Sequence, residues 1–168
     1  YIGDRVVLYQ NKGGGYLHLD DRVTLLRDSA LETGWGGVLT IGANTWIQPR
    51  CQINAYKGSI YIGSGVDMAP NCALYSYDHG FAPGSTIRQQ LLQTKGDIVI
   101  GDNAWLGFGV IVLSGVHIGA GAVVGAGALV CADIPDNAIA VGAPAKVVRM
   151  RNAADEADRS HHSLLQRS

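Results

Sequence analysis

The sequence is poor in charged and in aromatic residues. Charged side chains make up 16% of its 168 residues and aromatic side chains 7%, whereas hydrophobic residues reach 47%. This composition excludes a disordered chain and a coiled coil, and the length fits one domain with a real core. The charges nearly balance, with 13 basic and 14 acidic residues and a net charge of -1. On bulk charge, the chain is therefore not a nucleic-acid-binding protein.

A disulfide framework and a membrane-spanning run are also lacking. The three cysteines, Cys51, Cys72 and Cys131, are an odd number without CxxC spacing, which is typical of a reducing compartment. No apolar run approaches the roughly 20 residues that cross a membrane, and no signal peptide is visible. We therefore expect a cytoplasmic protein without a membrane span. The start at Tyr1 rather than at methionine indicates that residues precede it.

Glycine, in contrast, is abundant, at 23 of 168 residues, about twice its usual share. From residue 100 onward a large aliphatic residue recurs every six positions, and a second apolar residue follows each of them by four positions. The aliphatic positions are Ile100, Leu106, Val112, Ile118, Val124 and Val130, and the second positions are Ala104, Val110, Val116, Ala122, Ala128 and Ile134. A period of six fits neither a helix nor an alternating strand.

Three six-residue units form one coil of 18 residues, and such coils span 100–117 and 118–135. The same phase extends back to coils that begin at Ile62 and Ile41. One coil cannot bury its apolar row alone, so the coils must stack about 4.8 Å apart through backbone hydrogen bonds. The sequence therefore predicts an all-β solenoid over residues 1–151.

Several segments interrupt the repeat. A three-residue bulge is predicted at Lys57-Gly58-Ser59, and irregular corners at Gly13-Gly14-Gly15 and Gly34-Trp35-Gly36-Gly37. About 20 extra residues are inserted after the coil that begins at Ile62, and segment 80–97 is predicted to leave the solenoid as a loop, which in compact repeat folds is usually functional. Residues 152–168 form a short polar C-terminal tail.

Three short sequence motifs accompany the repeat. They are Tyr77-Asp78-His79 at the loop entry, Asn103-Ala104-Trp105-Leu106-Gly107 after the loop, and a closing motif, Gly142-Ala143-Pro144-Ala145-Lys146-Val147-Val148-Arg149. In this order they resemble the hexapeptide-repeat acyltransferases, in the branch of maltose, galactoside and nodulation-factor acetyltransferases and related exopolysaccharide O-acetyltransferases. The resemblance covers about 41–150. It implies a left-handed parallel β-helix, acetyl-CoA as the acyl donor, no metal, and a homotrimer with active sites between subunits.

His79 is the candidate catalytic residue. It lies five positions after Leu74, a phase that points outward, at the point where the loop leaves. An attacking sugar hydroxyl needs a base with a pKa near neutrality, and the resemblance assigns this task to His79. Without the resemblance, a solvent-exposed loop histidine would be the simpler interpretation.

Two further residues are placed by the same phase. His117 lies five positions after Val112, so it is expected one coil from His79 if the loop rejoins in register, although a plain surface histidine fits it better. Asp78 falls on the inward phase, where a buried carboxylate needs partners. We expect it to fasten the loop exit through backbone hydrogen bonds rather than to orient His79, because neighbours on a strand point to opposite faces.

The resemblance also implies a donor site and an acceptor site. Trp105 would line the channel between subunits, although ordinary interface burial fits it equally well. Phe108 and Ala126 would contact the pantetheine arm, and Lys146 and Arg149 would bind the phosphates, for which cations are suited, although a solvated basic surface is the alternative. The acceptor residues would be Gln48, Tyr77 and Asp78, and Tyr56 and Tyr75 could add stacking surface or simply be exposed strand residues.

The sequence therefore predicts an acetyl-CoA-dependent O-acetyltransferase acting on a sugar hydroxyl, as part of surface polysaccharide biosynthesis. The acceptor would be a sugar or a polysaccharide precursor. Amino-sugar, serine or antibiotic acetylation stays open. A γ-type carbonic anhydrase shares the fold but needs three histidines around zinc, and Ala122 stands where the third is expected. A non-catalytic scaffold is the remaining alternative.

Overall fold

The chain winds repeatedly through three parallel sheets, always in the same order. The computed structural model describes residues 1–152, so the predicted polar tail at 152–168 lies outside the described residues from residue 153 onward. The six-stranded sheet consists of Val7–Gln10, Ala30–Gly34, Gln52–Tyr56, Ala73–Tyr75, Ile111–Val112 and Leu129–Val130. The five-stranded sheet consists of Leu17–Leu19, Leu39–Ile41, Ile60–Ile62, Ile98–Ile100 and His117–Ile118.

The third sheet has seven strands and carries the end of the fold. It consists of Thr24–Leu25, Trp46–Ile47, Asp67–Met68, Trp105–Leu106, Val123–Val124, Ala138–Val141 and Lys146–Met150, the last of which is antiparallel to its neighbour. A two-stranded antiparallel hairpin, Asp78–His79 with Leu92–Gln93, and a 3-10 turn at Ile87–Gln89 lie outside the three sheets. No helix within residues 1–152 is long and apolar enough to cross a membrane.

The register of the sheets confirms the six-residue repeat. Each predicted interior aliphatic residue pairs with the one 18 positions later: Ile100 with Ile118, Leu106 with Val124, and Val112 with Val130. All twelve predicted interior residues of coils 100–117 and 118–135 are at most 4% exposed. Ile134 is interior in a different position from the predicted one, because it stacks on Ile118 only 16 residues earlier. The burial of these twelve residues is the main stabilising contribution, at about 1.5–3 kcal/mol for each large aliphatic side chain. The architecture is the predicted all-β fold, a left-handed parallel β-helix.

Before the closing antiparallel strand Lys146–Met150, every departure from the regular coil lies at one corner of the prism, where the chain passes from the six-stranded to the five-stranded sheet. We call this the hairpin corner. The predicted irregular segments 13–15 and 34–37, the bulge at 57–59 and the hairpin segment all lie there. The last coil is shortened at the same corner, where Ile118 forms a bridge with Ile134. Along the other two sides the six-residue spacing is kept throughout.

At the next corner, between the five-stranded and seven-stranded sheets, every coil keeps the six-residue spacing. A glycine lies there in four successive coils, at Gly42, Gly63, Gly101 and Gly119. A Cβ atom on Gly101 would lie 2.4 Å from the backbone nitrogen of Ala120 in the following coil. The glycines of this glycine corner are therefore required by the close approach of stacked backbones.

Gly101→Ala is expected to destabilise the fold by about 3 kcal/mol, because the clashing atoms belong to backbone and the coils must move apart. Gly13→Ala is the matched control. Gly13 has φ +73°, and no atom lies within 4 Å of its added Cβ, so only the left-handed backbone is penalised, by about 1 kcal/mol. Denaturant unfolding of both variants measures the two losses, and equal losses would contradict the close-packing argument.

Candidate functional site

The hairpin places His79 at the edge of the prism with its side chain exposed. His79 pairs with Leu92 and Asp78 with Gln93 in an antiparallel ladder. The Gly80 N–H donates to the Leu91 carbonyl at 3.2 Å and continues the ladder by one step. The loop predicted for 80–97 is therefore partly ordered, and the chain leaves the coil before His79 rather than after it.

Three contacts tie the base of the hairpin to the stacked coils. The Ser114 hydroxyl donates to Asp78 Oδ2 at 3.1 Å, and the Thr94 hydroxyl donates to the Ser76 carbonyl at 2.7 Å. The Lys57 ammonium group donates to the Leu92 carbonyl. Both strands of the hairpin are thus anchored, which limits the motion of the imidazole they carry.

Asp78 differs from its prediction in two respects. It is half-buried rather than buried, and the partner of its carboxylate is the side-chain hydroxyl of Ser114 rather than a backbone group. The physical reason is the early exit of the chain, since Asp78 belongs to the hairpin and not to an inward position of the coil. The hydrogen bond holds the Asp78 carboxylate against the prism, while His79 is exposed.

The expected juxtaposition of His79 and His117 is wrong. His117 pairs with Val99 in the five-stranded sheet, and its backbone N–H donates to Asp133 Oδ1 at 2.8 Å. The chain leaves before His79 can enter that sheet and returns 20 residues later, so Val99 takes the strand position that the regular phase would have given to His79. The alternative of a plain surface histidine fits the observed position of His117.

The tyrosines predicted as acceptor residues do cluster beside the hairpin. The ring centroid of Tyr77 lies 5.4 Å from that of Tyr56 and 6.0 Å from that of Tyr75. Burial raises the pKa of the Tyr77 hydroxyl, and the neighbouring tyrosines and the Glu32 carboxylate act in the same direction. Tyr77 therefore stays protonated at neutral pH and can donate a hydrogen bond.

Gln48 lies at a different corner from His79. It follows Trp46–Ile47 of the seven-stranded sheet, and its side-chain amide donates to Asp67 Oδ1 at 3.4 Å. The six-stranded sheet separates this corner from the hairpin corner. The structure of one chain therefore does not bring Gln48 and His79 together.

The residues predicted to bind the donor form a stripe on and beside the seven-stranded sheet. Trp105 is 50% exposed, and register connects it through Val123 and Ile139 to Arg149. Three steps of this kind span about 14 Å. The stripe runs across successive coils and suits a long, narrow molecule better than a compact one.

The remaining donor residues border this stripe. Phe108 and Ala126 are exposed on consecutive coils at the corner where the chain leaves the seven-stranded sheet, and the Gly127 N–H donates to the Phe108 carbonyl at 2.8 Å. We call this the Phe108 corner. Lys146 is exposed on the last strand and pairs with Val141.

A zinc site of the carbonic anhydrase type finds no support in the geometry. Among residues 1–152, no group of three histidine, cysteine, aspartate or glutamate side chains is arranged to hold a metal ion. His79 and His117 are not strand neighbours, and Ala122 is a buried core residue. His161 and His162 lie outside the described residues.

Two residues near the hairpin were missed by sequence reasoning. Ser114, only 4% exposed, anchors Asp78, and its signal was a serine two positions after Val112, as Ser76 follows Leu74. The contact of Trp35 with Tyr56, at a centroid distance of 6.3 Å, had no signal in the repeat because it depends on the lengths of two irregular segments.

Comparison with known proteins agrees with this fold. Residues 97–132 match the family described as "Bacterial transferase hexapeptide (six repeats)". The chain is 41% identical over 96 residues to the galactoside O-acetyltransferase of Lactococcus lactis, covering 57% of this chain and 45% of that protein. It is 39% identical over 113 residues to nodulation protein L of Rhizobium meliloti, covering 67% of this chain and 60% of the relative.

Among solved structures, a hexapeptide-repeat acetyltransferase of Vibrio cholerae in complex with acetyl-CoA superimposes with a TM-score of 0.70. It is 29% identical and matches 80% of this chain and 71% of its own. With the solenoid and the repeat, these likenesses confirm the predicted resemblance to the hexapeptide-repeat acyltransferases. The chain spans about half the length of the curated relatives it matches.

Asp78→Ala is expected to loosen the hairpin, because it removes the side-chain bond between hairpin and prism. Amide hydrogens of residues 79–93 should exchange faster, and the free energy of unfolding should fall by about 1 kcal/mol. Ser114→Ala should have the same effect, and the double variant should add little, because both remove one hydrogen bond.

The control for this experiment is Asp20→Ala. Asp20 lies 3.9 Å from His18 in an exposed pair on the five-stranded side of the prism. Its removal should leave exchange in the hairpin unchanged. Unchanged exchange in the Asp78 variant as well would show that the Ser114 contact does not hold the hairpin.

Proposed function

We propose that this chain is the catalytic β-helix of an acetyl-CoA-dependent O-acetyltransferase that acts on a sugar hydroxyl, with His79 as the general base. The observation that carries the proposal is the position of His79. An exposed imidazole sits on a doubly anchored hairpin beside Tyr77, at the corner where the fold concentrates its insertions. A positioned general base accelerates such reactions by about 10²–10⁴-fold.

In the proposed reaction, His79 first accepts a proton and later gives it back. The His79 imidazole accepts the proton of the sugar hydroxyl as its oxygen attacks the thioester carbonyl carbon. Backbone N–H groups would stabilise the oxyanion that forms. The carbon–sulfur bond then breaks, the acetyl group stays on the sugar oxygen, and the proton held by His79 returns to the departing sulfur. Attack is direct, so no acyl-enzyme is formed.

The stripe from Trp105 to Arg149 is the proposed donor site. Its length across successive coils suits the extended coenzyme A molecule. Phe108 and Ala126 would border the pantetheine arm, and the cationic side chains of Lys146 and Arg149 would bind the phosphates. The likeness to a solved acetyltransferase in complex with acetyl-CoA supports this choice of donor.

The separation between the base and the stripe supports an active site between subunits. Within one chain, His79 lies at the hairpin corner and the donor stripe at the seven-stranded sheet and the Phe108 corner, with the six-stranded sheet between them. A donor held on one subunit can meet the base of its neighbour if the prisms pack side by side. We therefore propose a homotrimer, in which Gln48 of one subunit could also approach the hairpin of another.

The proposed acceptor is a sugar or a polysaccharide precursor, in surface polysaccharide biosynthesis. The similarity to a galactoside O-acetyltransferase and to a nodulation protein supports a carbohydrate acceptor. Tyr77 and its ring neighbours provide the aromatic and hydroxyl groups that sugars contact. We propose the cytoplasm as the location, where acetyl-CoA is available.

His79→Ala is expected to lower acetyl transfer by about 10²–10⁴-fold while coenzyme A binding stays within about twofold of wild type. The measurement is thiol release from acetyl-CoA, with coenzyme A binding followed by calorimetry. His18→Ala is the matched control, since His18 is also exposed but lies in the five-stranded sheet near the start of the fold. Activity retained in the His79 variant would remove it as the base.

Subunit mixing tests the shared active site. His79→Ala lacks the base, and Ala126→Trp places an indole against the proposed donor site at the Phe108 corner, so each variant alone should lose most of its activity. Mixed oligomers should regain part of the wild-type activity, because some interfaces combine an intact base with an intact donor site. Size-exclusion chromatography must first show that both variants assemble like wild type. No recovery in mixed oligomers of proven composition would place base and donor on the same chain.

A further inference from the structure

Trp35 occupies a turn position that an indole side chain does not favour. The turn 34–37 is closed by the Gly37 N–H donating to the Gly34 carbonyl at 2.9 Å. Its two central residues, Trp35 and Gly36, have φ of +46° and +83°. Turns with two positive φ values favour asparagine, aspartate and glycine. The Trp35 side chain is also 61% exposed, so burial does not offset the backbone conformation.

Trp35 is the first member of a row of rings that leads to the hairpin. Its ring centroid lies 6.3 Å from that of Tyr56, in an edge-on arrangement, and Tyr56 lies 5.4 Å from Tyr77. Gly34 makes this row possible, because a Cβ on Gly34 would lie 2.1 Å from the Tyr56 ring. One ring per coil thus follows the hairpin corner and ends two residues before His79. We call Trp35, Tyr56 and Tyr77 the aromatic platform.

Polar groups lie on the strands beside the platform. Glu32 pairs with Asn54, and Asn54 pairs with Tyr75 on the next strand, and all three are half-buried. The Asn11 amide donates to the Glu32 carboxylate.

The exposed Trp35 ring and the half-buried rings of Tyr56 and Tyr77 lie beside planar amide and carboxylate groups. This combination matches the chemistry of a saccharide, whose C–H faces stack on aromatic rings and whose hydroxyls bond to planar polar groups. The Glu32 carboxylate and the Lys57 ammonium group bring one charge of each sign to this corner, so the surface does not favour an anionic chain.

We propose that the aromatic platform binds a neutral saccharide chain and presents its end to His79. The inference rests on the proposed transfer to a sugar hydroxyl and narrows the acceptor to an oligosaccharide or polysaccharide. The rings follow the stacking direction of the coils, so successive sugar units would lie on successive coils. The unfavourable turn conformation of Trp35 is retained because the indole contacts the acceptor.

Calorimetric titration tests the platform with maltohexaose, cellohexaose and chitohexaose and with the monosaccharide of each series. At least one hexasaccharide is expected to bind wild type more tightly than its monosaccharide. Trp35→Gly should lower the affinity for that hexasaccharide by about fivefold, the scale of one aromatic stacking contact. Its Tm should be unchanged or higher, because glycine adopts positive φ freely. Loss of binding with a stable fold is a result that a structural role for Trp35 would not give.

Two further variants sharpen the test. Gly34→Ala keeps every aromatic residue but displaces the Tyr56 ring, and it should also weaken hexasaccharide binding. Trp46→Ala is the matched control, since Trp46 is 53% exposed on the seven-stranded sheet, and it should leave the preference for the hexasaccharide unchanged. Equal affinity of wild type and Trp35→Gly, or no preference for any hexasaccharide over its monosaccharide, overturns the proposal.

The binding measurement separates this inference from the proposed function. Saccharide binding needs neither acetyl-CoA nor the imidazole, so His79→Ala should bind the hexasaccharide like wild type. Length-dependent binding without acetyl transfer to that hexasaccharide would reject the enzymatic proposal and keep the platform. Acetyl transfer that depends on His79 but not on acceptor length or on Trp35 would reject the proposal of saccharide binding by the platform. It would retain the proposal of an O-acetyltransferase.

Discussion

The fixed distance between stacked backbones governs this structure. Parallel coils joined by hydrogen bonds lie about 4.8 Å apart, so each side chain must fit between identical positions above and below it. Inside the prism this selects branched aliphatic residues that stack on themselves, such as Ile62, Ile100 and Ile118. At the glycine corner the same distance leaves no space for a Cβ atom, as at Gly101. The regular recurrence of aliphatic residues inside the prism and of glycine at this corner both follow from this spacing.

The same constraint explains why the variable segments gather at one corner. The glycine corner keeps the six-residue spacing in every coil and brings stacked backbones close together, as at Gly101, whereas the hairpin corner accommodates extra residues in four coils and a shortened last coil. Side chains that leave the prism there are not restricted by stacking. The groups that we propose to act in catalysis and in saccharide binding, such as His79 and Trp35, therefore lie where the packing of the coils restricts side chains least, on a rigid scaffold that positions them.

The sequence was informative where the structure repeats. The interior residues, the bulge at 57–59 and the β-solenoid follow from a period, because a period specifies which residues stack, whereas the left hand of the solenoid came from the resemblance. The partners of His117 and Asp78 could not be predicted in this way, since both depend on where the chain leaves the coil and at which residue it returns. The contact between Trp35 and Tyr56 depends on two irregular segments in neighbouring coils, neither of which has a periodic signal. The resemblance pointed to His79 as the candidate base. The anchoring of its hairpin by Ser114 and Thr94 is visible only in the structure.

A straight prism with flat sides is a poor shape for an enzyme, because binding sites are generally concave and exclude water. A convex prism offers a concave site in two ways: a segment can project from it, or a second prism can pack against it. The hairpin that carries His79 is a projection of the first kind, and the donor stripe on the seven-stranded sheet is open in the single chain. In the proposed function, one chain thus contains two incomplete halves of a site at different corners. Packing of prisms side by side is the simplest arrangement that joins such halves, and it would leave the aromatic platform on the open side of the hairpin, where a long saccharide can approach along the stack.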